Sequence, residues 1–147
     1  MRISESDQNV DHVLEVQLLE HVTLPILSSN RELVARFRNT ANEAANLNVT
    51  ARKVNQAKRG PFTAVLNRLR KCDGGLRQMS VEHFARIGRA RWLVDGGEWA
   101  NIEGEIVLSY EAMAEKLSTE RLTRAQTTIM EATIDSLHTT LEKIQIL

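Results

Sequence analysis

From Gly97 to the C-terminus the apolar residues fall at helical spacing, and no other part of the chain restricts its fold as tightly. Trp99, Ile102, Ile106, Tyr110, Met113 and Leu117 recur at intervals of three and four. After a break at Ser118-Thr119, Leu122, Met130, Ile134, Leu137, Leu141 and Ile144 resume the rhythm. At about 3.6 residues per turn, such spacing lays each series along one face of a helix. Residues 98–147 are therefore expected to form a helical hairpin whose apolar faces roof the N-terminal half and complete its core. The near-heptad spacing of the last helix offers the alternative of a seam with a second copy, a homodimer through the C-terminal helix.

A chain of 147 residues can bury a core without disulfides or a structural metal, so one domain over residues 1–147 is expected. Few aromatics, two prolines and abundant Ala, Leu, Glu and Arg favour helices over a large sheet. The expected class is mainly α, α+β at most. Cys72 is the only cysteine, which excludes an intrachain disulfide and a Cys-based zinc knuckle; it is expected to be an inert or partly exposed thiol. No apolar run has the length of a membrane span, and residues 1–10 are polar with no signal-peptide core. A soluble protein without a membrane partner is expected, cytoplasmic or secreted with a leader removed.

Between residues 11 and 27, Val13, Leu14, Val16, Leu18, Leu19 and Val22 fit either a buried strand turning into a helix or one helix beginning at Asp11; periodicity does not separate the two. Pro25 is expected to end or kink this segment, and Ser28-Ser29-Asn30 to cap a helix over 31–42 with Leu33, Val34 and Phe37 on one face. Residues 46–49 read as a short extended piece. Thr50 then offers an N-cap for a helix through Lys58, and Gly60-Pro61 a break before a further helix ending at Arg70, Lys71 and Gly74-Gly75. Ser80 caps a helix through Val94, with Val81, Phe84, Ile87 and Trp92 on its apolar face, ending at Asp95-Gly96-Gly97. Trp92 and Trp99 are expected to be packing anchors. His21, His83 and His138 have no partner at ligand spacing and are expected to be ordinary surface or core histidines.

Net charge is zero, but its placement is uneven. Between residues 44 and 72 there is no acid, while Arg52, Lys53, Lys58, Arg59, Arg68, Arg70 and Lys71 all fall there. From Glu98 onward acids outnumber bases by about two to one. A polyanion would bind the basic third, although a solvated helix face would account for the same residues.

That basic stretch carries Asn46-Leu47, Asn55 and Lys58-Arg59-Gly60, and upstream stands Asp11-His12. Read in order, these residues resemble the His-metal finger of HNH-type nucleases, in which a strand-borne Asp-His, a strand opening with Asn-Leu and a helix bearing a His or Asn ligand pack as a ββα unit around one ion. The run Asp11-His12-Val13-Leu14-Glu15-Val16-Gln17 also resembles an Asp-His-x-x-Glu-x-Gln element of HNH-like domains in fungal and invertebrate proteins. The resemblance covers about residues 10–60, with helices over 61–97 and the hairpin beyond, and the gap between His12 and Asn46 must hold an inserted helix. It implies a metal-dependent endonuclease hydrolysing DNA or RNA. His12 would be the general base, Asn46 the residue orienting its ring, Asp11 and Asn55 the metal ligands, and Glu15 and Gln17 their supporting partners. Arg52, Lys53, Lys58 and Arg59 would meet nucleic acid, with Lys58 near phosphate. Histidine suits the base because its ordinary pKa is close to working pH. Asp and Asn oxygens are hard donors suited to Mg²⁺ or Mn²⁺.

Plainer roles exist for the same residues: Asp11 as a helix cap, and Asn46, Asn48 and Asn55 as turn and surface residues. Two other functions therefore stand beside the nuclease. One is a non-catalytic helical module binding nucleic acid or a protein through the basic 52–71 surface, and the other is a helical assembly module using the final helix.

Overall fold

A strand, not a helix, comes first among the described residues. Gln8–His12 form β1, which pairs antiparallel with β2, Leu47–Ala51, in a register that sets Asp11 opposite Asn48 and His12 opposite Leu47. The computed structural model describes residues 8–13, 15–43, 46–71 and 80–147, and along 8–11 and 47–51 the backbone alone. The expected thiol role of Cys72 and the helix end at Gly74-Gly75 lie outside the described residues. Between the strands run α1, Val16–Leu27, and α2, Arg31–Ala41. Of the two alternatives for residues 11–27, the strand turning into a helix is the one found. Pro25 lies inside α1 without ending it, because Leu18, Leu19, Val22 and Leu27 are buried on both sides of it. Asn30 caps α2, its side chain accepting from Leu33 N at 3.1 Å, which satisfies one first-turn amide that the helix cannot.

The second half of the fold is helical. α3, Arg52–Lys71, starts directly from β2 and packs on both strands; α4, Val81–Ile87, and α5, Arg91–Asp95, follow. The long hairpin is α6, Glu98–Thr119, and α7, Arg124–Lys143. Thr123 opens α7 through a reciprocal capping box with Gln126. No described helix is long and apolar enough to cross a membrane.

Three expectations are corrected here. Thr50 is a strand residue, and Gly60-Pro61 does not break α3, which runs unbroken for 20 residues. An internal proline costs roughly 3 kcal/mol through its missing N–H and its clash with the preceding turn. Burial of Pro61, Phe62, Val65, Leu66 and Leu69 on one face offsets that cost. Conversely, residues 81–94 are not one helix: the chain leaves helical geometry at the extended Gly88, so Ala90 and Leu93 become the core residues while Ile87 and Trp92 turn to solvent. In the last helix Met130, Leu137 and Leu141 are buried within the same chain, where α7 packs on α1 and α6.

One apolar cluster connects the seven helices of the described residues, from Leu18 and Leu19 through Leu33, Phe62, Val65, Leu93 and Trp99 to Ile106, Met113 and Leu141. Trp99 is the anchor the sequence suggests, 1% exposed, tilted against Phe62 at 6.2 Å and donating from Nε1 to Glu103 Oε1. Arg36 on α2 ties the cluster's edge to the α6–α7 turn through Glu120 and the Arg121 carbonyl, each at 3.2 Å.

Candidate functional site

The two ends of the β1–β2 pair nearest the helices bring His12 and Asn46 together. Val13 N donates to Asn46 O at 2.8 Å, one step past the His12–Leu47 pairing. Asn46 is 0% exposed; its amide donates to Ala41 O at 2.8 Å and its Oδ1 accepts from Ser109 Oγ at 2.7 Å. Asn46 thus ties β2 to the end of α2 and to α6. The His12 ring itself meets Asn42, at the end of α2. His12 Nε2–H donates to Asn42 Oδ1 at 2.8 Å, and with the proton fixed there the neutral ring offers Nδ1 as its base.

Lys58 also departs from expectation. Instead of facing a phosphate it is 4% exposed, with Nζ donating to His12 O at 3.0 Å and standing 3.7 Å from Glu15 Oε1. The amine therefore fastens α3 to the strand end that carries His12 and to the start of α1. Burying an ammonium is costly unless its protons are placed and its charge is paired, and this geometry does both.

Beside His12 opens a cavity of about 380 Å³ lined by His12 at the end of β1, Glu15 and Gln17 at the start of α1, and Arg59, Phe62 and Thr63 from α3. A candidate base, an acidic residue and an arginine line this common space. Glu15 and Gln17 thus stand at the cavity, as supporting partners would. Arg59, Arg52 and Lys53 are exposed on the outward face of α3, on a segment without acids, so their potential is not cancelled by neighbours on the same helix.

Of the expected ligands, Asp11 has its backbone in β1 opposite Asn48, and its carboxylate lies outside the described residues. Asn55 is on the first turns of α3 and 3% exposed. Its Oδ1 is buried without a hydrogen-bond donor among the described residues. An orphaned amide oxygen is destabilising by about 1–3 kcal/mol, and a hard cation would satisfy it. A donor set of one amide and one carboxylate oxygen suits Mg²⁺ or Mn²⁺, which keep most of their shell as water. Among the described residues no three His, Cys, Asp or Glu side chains gather in a metal-holding cluster.

The remaining histidines are engaged elsewhere or solvated. His138 Nε2 pairs with Glu142 at 2.9 Å and Nδ1 meets Tyr110 Oη at 3.2 Å, while His83 lies edge-on to Phe84. Burial, followed by the charges of Asp135, Glu111 and Glu142, pushes the Tyr110 hydroxyl above its ordinary pKa, so Tyr110 stays a neutral donor to His138. Comparisons with profiles of known families, with characterised proteins and with solved structures found no match to this chain.

Proposed function

We propose that the protein is a metal-dependent endonuclease of the HNH kind, with β1, β2 and α3 as its ββα finger and the His12 cavity as the place where a nucleic-acid phosphodiester is hydrolysed. The observation that carries this reading is the joint placement of the separated motif pieces. His12 and Asn46 meet at one strand end, α3 is locked to His12 by Lys58, and Arg59 shares the cavity with the His12 ring.

In this mechanism His12 Nδ1 takes a proton from water as the water oxygen bonds to phosphorus, and the bond from phosphorus to the leaving sugar oxygen breaks. Asn42 holds the Nε2 proton throughout, which leaves Nδ1 as the accepting nitrogen. Arg59 faces the substrate phosphate with a planar, permanently charged fork. Asp11 and Asn55 would hold the divalent ion, which when bound lends Lewis-acid stabilisation to the phosphate and the leaving oxygen.

The test is nicking of supercoiled plasmid and cutting of structured RNA, with Mg²⁺ or Mn²⁺ and with EDTA. Cleavage is expected only with metal, and His12→Ala is expected to slow it by about a hundredfold while substrate affinity holds. Cutting that persists in EDTA, or that ignores the His12 change, overturns the reading. Nucleic-acid binding without any cutting would favour the non-catalytic module on the same basic surface.

A further inference from the structure

Trp92 is where the apolar pattern and the structure part most sharply, and its surroundings are informative. It is 47% exposed and lines a cleft of about 420 Å³ together with Lys53, Gln56 and Ala57 of α3 and Arg89 of the α4–α5 turn. Among the described residues no lining residue is acidic. The core position that Trp92 would have filled is taken by Leu93, one residue on, because the extended Gly88 shifts the phase of α5 against α4. A half-exposed indole thus shares one hollow with a lysine and an arginine. Those are the elements of a base-stacking platform on a strand of nucleic acid.

We propose that this cleft holds an unpaired nucleotide of a nucleic-acid strand, its base stacked on Trp92 and its flanking phosphates facing Lys53 and Arg89. This rests on the reading of the His12 cavity as a nucleic-acid site and deepens it: the substrate is a strand that is at least locally single. The two openings are joined by α3. Lys53 and Arg59 are about 9 Å apart along the helix axis, and at about 100° per residue they stand at opposite edges of its solvent face, with Arg52 and Gln56 between them. A strand passing Arg59 at the His12 cavity and crossing Arg52 and Gln56 arrives at Lys53 and Trp92. In a duplex both faces of a base are covered by its stacked neighbours, so an indole in this position selects an unpaired one.

The experiment is a fluorescence titration of the full chain with single-stranded oligothymidylate in EDTA, where no metal-dependent cutting occurs. Trp92 is the exposed indole and Trp99, 1% exposed, keeps its emission, so binding is expected to quench the solvent-exposed part of the signal. Anisotropy of a labelled strand is expected to show about tenfold weaker binding for Trp92→Ala and near-normal binding for Trp92→Phe, which keeps a ring. Lys53→Ala should lower the salt dependence by about one counterion. A blunt duplex and a mononucleotide are expected to bind much more weakly than the single strand. Equal affinity for either competitor, or unchanged affinity in Trp92→Ala, overturns the proposal. Its failure is separable from that of the nuclease: quenching without any cleavage sinks the hydrolytic reading alone, whereas metal-dependent cleavage with affinity indifferent to Trp92 sinks this one alone.

Discussion

Lys58 and Asn42 are the residues whose roles could not be read from their neighbours in sequence. A lysine in a basic, acid-free run suggests a phosphate contact, but the helical phase of α3 turns Lys58 toward the His12 carbonyl and Glu15. Lys58→Ala should therefore act on stability, not on affinity, lowering the unfolding free energy by about 2–4 kcal/mol because it strands a carbonyl and a partly buried carboxylate. Urea denaturation measures this; an unchanged midpoint with weakened nucleic-acid binding would return Lys58 to the surface role. Asn42 lies 30 residues from His12 and at the exposed C-terminus of α2, so no local pattern announces the contact. Asn42→Ala is expected to lower kcat about tenfold with KM and melting temperature nearly unchanged, since the ring loses its orienting acceptor and nothing buried is disturbed.

At the level of elements, α3 has two residues that local propensity would remove from a helix. Gly60 and Pro61 sit in its middle, and tertiary burial of the face around them decides the outcome. Outside its chain neighbours and its own helix backbone, a Cβ at Gly60 would meet no atom within 4 Å. Gly60→Ala should stabilise the protein by about 0.5–1 kcal/mol, seen as a higher denaturation midpoint; a loss of stability would show that α3 needs a hinge at that point. Gly88 is the opposite case. A Cβ there would come to 3.1 Å from Phe84 O, and its extended backbone interrupts a pattern that otherwise reads as one helix from Ser80 to Val94. The hairpin α6–α7 was legible because its spacing is local, and it folds as that spacing implies.

For the molecule as a whole, charge burial predicts a pH effect. Desolvation pushes the Glu103 carboxyl above its ordinary value of 4.5, opposed by the hydrogen bond from Trp99 and reinforced by the charge of Glu82. The folded state then holds this proton more tightly than the unfolded chain, so the contribution of Glu103 to stability declines as pH rises from 4.5 through the raised value. Glu103→Gln retains an acceptor for Trp99 without the charge. Its melting temperature should exceed that of the parent at neutral pH and converge with it below pH 4.5; calorimetry across that interval would refute the assignment if the difference were constant.

Periodicity and near neighbours in the chain were enough for the helical class, the caps at Asn30 and Ser80, the apolar faces of α2, α6 and α7 and the acid-free basic segment, because each follows from spacing or from atoms a few residues apart. The sequence also carried the order Asp11-His12, Asn46, Asn55. Only the tertiary structure decided that residues 8–12 pair with 47–51, since a two-stranded ladder across an insertion of two helices has no local signature. Tertiary structure likewise turned Lys58 inward, gave the His12 ring to Asn42 and left Trp92 in water. Each of those outcomes depends on which face of a helix meets a distant element, and that is settled by the packing of the whole core.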